Sequence, residues 1–470
     1  MKHIFSVFSI LILIMAGVAV TGAEEFGMEY GRFGKLSIYR NSNQPSQVVL
    51  FVSGDGGWNL GVKDMARSLA DLDALVVGID LMAYFRNIKN SSEYCVYSAA
   101  EFESVSKFVQ KNLGFSQYRI PVLVGYSSGA TFVYAVMVQA PYNTFQGAIS
   151  LGFCPKLNMQ PALCQSNGLK WRKGPKQEME IQPFTGTAKP WIVFQGADDQ
   201  VCDPGVTSDF VKKTNSGKLI LLPHIGHGFS VQKNWLPQFK EAFLDLTASE
   251  SKGSKTPEQA NTLGDLPLVE VPAKQSGKDF MAVLLTGDGG WAGLDQEVSA
   301  ELARRGIPVA GLSTLKYFWT ARTPDSSAKD LERIIRYCLS LWKKDKVVLI
   351  GYSFGADVLP FMVSRLPQDL SSKTALVVLL GPSSRANFEF HLSDWLGGAE
   401  NKGLPTLPEI KKLSGTKILC LYGNEDAECI CPQISQSGAT SEMMSGAHHF
   451  DGNYTAVVDK ILAELGQQNK

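Results

Sequence analysis

Four short motifs occur twice in this chain, in the same order and at nearly the same spacing. Residues 53–58 read SGDGGW and 286–291 read TGDGGW. Residues 125–130 read GYSSGA and 351–356 read GYSFGA. GADD at 196–199 pairs with GNED at 423–426, and HGF at 227–229 pairs with HHF at 448–450. Ser127 and Asp199 are 72 residues apart, Ser353 and Asp426 are 73 apart. One GxSxG among 44 glycines would say little. Two copies with the same neighbours define an internal repeat, and the fold must accommodate the unit twice.

The apolar pattern around the motifs gives the class of that unit. Val48–Val52 and Met281–Leu285 are unbroken apolar runs that end at the GDGGW turns. Such runs suit strands buried on both faces of a parallel sheet. Val122–Val124 and Val347–Ile350 run as strands into GYSxG, and Ala130–Val138 and Ala356–Arg365 leave it with helical patterning. Leu36–Tyr39, Leu75–Ile79, Ala148–Leu151 and Trp191–Gln195 supply further strands of the first copy. Leu268–Val271, Val309–Leu312, Leu376–Leu380 and Ile418–Tyr422 supply those of the second. Ala99–Asn112 and Ala328–Lys343 are spaced as helices. The alternation predicts two tandem α/β-hydrolase-type domains, each a mostly parallel sheet flanked by helices. Residues 24–246 form the first and 263–470 the second, joined by a polar linker over 247–262.

Lys2 and His3 precede an apolar run from Ile4 to Val20, followed by Thr21-Gly22-Ala23, the pattern of a signal peptide over residues 1–23 and of an exported, soluble protein. The eight cysteines fit an oxidising compartment. Cys154 and Cys164, flanking a short Pro-containing loop, are the expected bridge. Cys429-Ile430-Cys431 reads as two separately used cysteines, since zinc-like clustering is absent. Lys+Arg and Asp+Glu balance at 45 each, which argues against a nucleic-acid partner or a polybasic membrane patch.

Strand, GxSxG, helix is the setting of a nucleophile elbow, which makes Ser353 and Ser127 candidate nucleophiles. A serine hydroxyl needs a base. Aligning GHGF with AHHF selects His448 and His227, with His449 competing for the first role. Asp426 and Asp199 follow the penultimate strand, where a carboxylate would orient the imidazole, with Glu425 and Asp198 as neighbouring alternatives. Gly289, Gly290 and the Phe354 N–H are the expected oxyanion donors of the second copy, Gly56, Gly57 and Ser128 those of the first. A phosphate-binding reading of the glycine turn lacks GK[ST] or GxGxxG support. No metal or cofactor is expected. The copies differ after the elbow, where Asp357 replaces Thr131. We read Asp357, with Asp288 and Trp291, as substrate-binding: a carboxylate one turn from the nucleophile could meet an amine, or it could cap or solvate the helix.

TGDGGW, GYSFGADVLP and AHHFDG resemble the AcvB/VirJ family of bacterial exported α/β-hydrolases, over nearly the whole mature chain and most specifically in its second half. The resemblance implies a periplasmic hydrolase of aminoacylated phosphatidylglycerol, typically the lysyl or alanyl form, linked to virulence and type IV secretion. It implies Ser353, His448 and Asp426 as nucleophile, base and acid, and an aminoacylated phospholipid at the membrane surface as partner. A factor contacting a secretion system without catalysis, or a general esterase, are the alternative functions.

Overall fold

The computed structural model describes residues 23–89, 94–141, 143–165, 168–186, 189–252, 263–273, 279–291, 293–390, 403–434 and 439–466. The expected signal peptide, apart from Ala23, and residues 253–262 of the expected linker lie outside the described residues.

Two large sheets follow one another along the chain. The first has eight strands, in the spatial order Glu24–Tyr30, Gly34–Arg40, Ala74–Ile79, Gln47–Val52, Val122–Tyr126, Ala148–Leu151, Trp191–Gly196 and Gly217–Leu222. The second has seven: Leu268–Val271, Val309–Leu312, Phe280–Leu285, Lys346–Tyr352, Thr374–Leu380, Ile418–Gly423 and Thr440–Met444. The strands at the N-terminal edge pair antiparallel and the remainder pair parallel, in both sheets. The central strands are apolar because both faces are covered: each sheet carries one apolar core per face.

The helices that follow the elbows, Ser128–Gln139 and Phe354–Val363, are buried along almost their whole length. They pack under the middle of their sheets, so each elbow is fixed at the carboxyl end of a central strand.

One boundary differs from the sequence reading. The helix Leu236–Lys252 runs through the first six positions assigned to the linker. Leu246 and Thr247 are still buried against the sheet, and the Thr247 hydroxyl donates to the Phe243 carbonyl at 2.9 Å, so packing carries the helix past the point where composition turns polar. Between Gly152 and Trp191 the first unit also inserts a small three-stranded sheet, Lys156–Leu157, Met179–Ile181 and Trp171–Lys173, which has no periodicity long enough to read.

The expected Cys154–Cys164 bridge is not formed. Cys95 pairs with Cys164, Cys154 with Cys202, and Cys420 with Cys431. The parallel ladder decides this. Cys164 follows the short strand Ala162–Leu163, which pairs with Cys95–Val96. Cys154 follows Ala148–Leu151, whose neighbour Trp191–Gly196 leads into the loop that carries Cys202. Cys429 is free and Cys338 is free and buried, its thiol pushed up to about 12 by that burial. No described helix is long and apolar enough to cross a membrane.

The two halves touch. Trp319 Nε1 donates to the Phe115 carbonyl at 2.7 Å, and Lys111 Nζ donates to the Trp319 carbonyl at 2.7 Å and pairs with Glu389 at 2.9 Å. Tyr118, Leu315, Trp319 and Phe390 form a buried apolar cluster across the contact.

Candidate active site

Ser127 and Ser353 sit at the strand-to-helix turns with φ of 57° and 51°. A non-glycine residue at positive φ is strained, and the close packing around the turn holds it there. A Cβ on Gly125 or Gly351 would overlap the carbonyl of Gly129 or Gly355. A Cβ on Gly129 or Gly355 would overlap the backbone at the end of the neighbouring strand. Both glycines of GxSxG are therefore required by close approach rather than by loop flexibility.

In the first unit the three side chains form one chain of hydrogen bonds. His227 Nε2 lies 2.9 Å from Ser127 Oγ, and His227 Nδ1 lies 2.8 Å from Asp199 Oδ2. Asp199 is buried and accepts three further bonds, from Gln195 Nε2 and from the Val201 and Cys202 amides, each at 2.9 Å. Those bonds aim one carboxylate oxygen at the ring, which fixes its orientation.

In the second unit His448 Nδ1 lies 2.7 Å from Asp426 Oδ2. Among the described residues no hydrogen bond joins His448 to Ser353, although both line the same two cavities. Such bonds often tighten only when substrate is bound. His449, the competing base, turns away: its Nδ1 lies 2.8 Å from the Tyr352 hydroxyl, and burial holds its ring below the usual histidine range. Asp198 and Glu425 are exposed; Asp198 lies 4.0 Å from His224, and the rings of His227 and His448 pair with Asp199 and Asp426 instead. The Ser127–His227–Asp199 chain has the connectivity of a serine-hydrolase triad; in the second unit the His448–Asp426 half is formed and Ser353 shares its cavities.

Three expected substrate or oxyanion roles need correction. The Gly290 N–H donates to the Gly287 carbonyl at 3.0 Å, as Gly57 does to Gly54, so it closes the turn and is not an oxyanion donor. Its φ of 74° explains the glycine. Gly289 remains on the cavity wall, and the Phe354 N–H opens its helix, where amides have no intrahelical acceptor.

Trp291 lines neither cavity beside Ser353. Its ring packs over Gly311, where a Cβ would overlap it, and Trp58 does the same over Gly78. The separation is 20 residues in both units, a signal present in the sequence but not used.

Asp357 does line the cavity beside Ser353, but both its oxygens are engaged: Oδ1 with the Ser383 amide at 2.6 Å and Oδ2 with the Ser383 hydroxyl at 2.9 Å. In the first unit Thr131 makes the corresponding tie to the Cys154 carbonyl. The two residues anchor the same turn, after the fourth parallel strand, with different chemistry. In the second unit that turn holds Gly381 against the His448 ring. Asp357 is thus a positioning residue. Asp288 stays on the cavity wall.

Burial raises the Asp357 carboxyl from its ordinary 3.8 to about 8. The Ser383 hydroxyl donates to the Arg385 carbonyl at 3.0 Å, leaving a lone pair for a protonated Asp357. The unfolded chain would ionise this group near 3.8 and the folded chain near 8. Its contribution to stability is therefore whole below about pH 4 and is lost as pH rises towards 8. Asp357→Asn, which keeps both bonds without a charge, is expected to flatten this slope. Urea unfolding of the variant and the parent at pH 5 and pH 8 measures it, and equal slopes would refute the assignment.

Asp199, Cys202 and His227 stand close enough to suggest a metal site. They do not fit one: the Cys202 sulfur is in a disulfide and both ring nitrogens of His227 are engaged.

Comparison with known proteins places the chain. No curated protein matches it in sequence. Among solved structures it is similar to XC6422 from Xanthomonas campestris, an α/β serine hydrolase without lid. Identity is 20% over 49% of this chain and 95% of that one, with a TM-score of 0.32. It is similar to Est1E from Butyrivibrio proteoclasticus at 14% identity over 48% and 100%, TM-score 0.32. It is also similar to an esterase, Est2, from Thermogutta terrifontis at 17% identity over 49% and 94%, TM-score 0.34. The profile of the bacterial virulence protein VirJ matches residues 46–151 and 279–469, well over half the chain and including both elbows. The chain belongs to the VirJ family of bacterial virulence proteins.

Proposed function

We propose that this protein is a carboxylic-ester hydrolase that removes the aminoacyl group from aminoacylated phosphatidylglycerol, the lysyl form foremost, at the periplasmic surface of a membrane. One observation carries the choice of a cationic acyl group. Ser353 lies between two cavities of about 590 and 420 Å³. Asp288 and Asp295 stand on the wall of the larger, with Glu103 paired to Lys107, and Glu425, Asp426 and Glu428 stand on that of the smaller, where burial keeps Asp357 largely protonated at neutral pH. No Lys or Arg is among the described residues lining either. A cleft lined by one sign of charge concentrates the opposite sign. The three disulfides agree with export to an oxidising compartment.

The chemistry follows from the side chains. His448 Nε2 takes the proton of Ser353 Oγ as the oxygen attacks the ester carbonyl. The Phe354 amide and the 287–289 turn face the oxyanion. The bond to the glycerol oxygen breaks, and that oxygen takes the proton from His448. Water, deprotonated by the same ring, then cleaves the acyl-enzyme and releases the amino acid.

The test is release of free lysine from lysyl-phosphatidylglycerol in mixed micelles. We expect turnover to exceed that of an N-acetylated, uncharged analogue by about tenfold or more, since each lost charge contact at a shielded site costs on that order. Equal rates on the two would leave a general esterase.

A further inference from the structure

The larger cavity beside Ser353 is not built by the second unit alone. One wall consists of Gly287, Asp288, Gly289, Leu294, Tyr352 and Tyr454; the facing wall is supplied by the first unit. Tyr97, Ala100 and Glu103 come from the start of the helix Ser98–Asn112 and the residue before it, and Pro141 and Thr144 from the segment after the first elbow helix. The facing wall is fixed in place. Asn143 Nδ2 donates to the Trp291 carbonyl at 3.0 Å, one residue beyond the GDGG turn. Further along the same helix Lys111 holds Trp319 and Glu389, and Trp319 is buried against Phe115. Glu103 is held by Lys107 at 3.0 Å, itself fully buried.

We infer that the first unit is a structural part of the second active site, whose N-terminal helical wall limits the size of the group that can reach Ser353. This rests on Ser353 being the nucleophile of the proposed hydrolase, but it does not depend on the lipid substrate. It gives the repeat a use apart from the first unit's own triad: a single unit would leave the larger of the two cavities beside Ser353 without one of its walls.

Ala100 tests the wall, because it is small, exposed and on the cavity side of a helix whose packing lies elsewhere. Ala100→Trp in the full-length protein should fill space there while leaving all six triad side chains unaltered. The readout is the labelling rate of each serine, mapped by mass, with a small probe (diisopropyl fluorophosphate) and a long-chain fluorophosphonate. We expect labelling of Ser353 by the long probe to slow about tenfold or more, as misplacement at a reacting centre does, while the small probe stays within about twofold. Labelling of Ser127, in the unit that carries the substitution, should not change and reports that the unit is folded. Ala100→Leu should give an intermediate slowing and covers the case in which the larger side chain disturbs folding. Unchanged labelling of Ser353 by the long probe in folded variants would overturn the wall. Failure of Ser353 to react with the small probe in the parent protein would instead overturn the hydrolase reading itself.

Discussion

Replacing Ser353 by Ala is expected to abolish ester hydrolysis at the second site, with a loss on the order of 10⁴ or more in kcat/KM. The fold should survive, because alanine at φ 51° meets the same strain as serine and the side chain carries no packing load. Ser127→Ala is expected to cost far less on aminoacyl-phosphatidylglycerol. Ser353, not Ser127, lies on the two carboxylate-lined cavities of about 590 and 420 Å³. Against this stands the first triad, which is already fully hydrogen-bonded, whereas His448 has still to close on Ser353. The two single variants, assayed on the same micelles, decide between cavity and alignment. Loss confined to Ser127→Ala would reverse the assignment, and comparable loss in both would mean two sites working on one substrate.

How much of this was legible in the sequence follows from what repetition can and cannot encode. Residues used in both units were found by aligning the units: serine, acid and histidine emerge because the same backbone geometry needs them twice. The nearly equal Ser–Asp spacings hold although the units fill the stretch differently, with a three-stranded sheet in the first and the helix Thr406–Lys411 in the second, because in both a strand after the elbow helix and the penultimate strand lead to the acid. Trp58 and Trp291 carried the same kind of signal, through Gly78 and Gly311, yet a tryptophan beside a glycine turn suggests ligand stacking before it suggests a steric match. Thr131 and Asp357 hid their shared role because one donates and the other accepts. A substitution that changes charge while keeping a contact looks like a change of function. The wall supplied by the first unit could not be read at all. It depends on how two units dock, and docking rests on a few side chains such as Trp319, Lys111 and Asn143 that have no counterpart to align. The cysteines failed for a related reason. Short separation suggested Cys154 with Cys164, but the ladder brings together strands that are far apart in the chain, so each of these cysteines finds a distant partner.

Those pairings set the second large effect. Reduction of the protein is expected to destabilise the first unit well before the second. The first unit holds two bridges with sequence separations of 69 and 48, the second one bridge with a separation of 11. A cross-link restricts the unfolded chain more when it closes a longer loop, and each native bridge is worth about 2–4 kcal/mol. The loss should also reach the first triad directly. Cys202 is bridged to Cys154, and its amide donates to Asp199 Oδ1 while its carbonyl accepts from Gln195, which in turn holds Asp199 Oδ2. Freeing Cys202 loosens the loop that aims the carboxylate at His227. In the second unit Cys431 lies farther along the chain from Asp426 and does not contact it, so His448 should keep its partner. Calorimetry with and without a phosphine reductant should resolve one transition into two, the earlier belonging to the first unit. Fluorophosphonate labelling should fall at Ser127 before it falls at Ser353. The Cys154→Ser/Cys202→Ser double variant should reproduce the loss at Ser127 without reductant. A reduced protein that melts as one unit at its former temperature, with both serines still reactive, would show that the bridges constrain neither fold nor site.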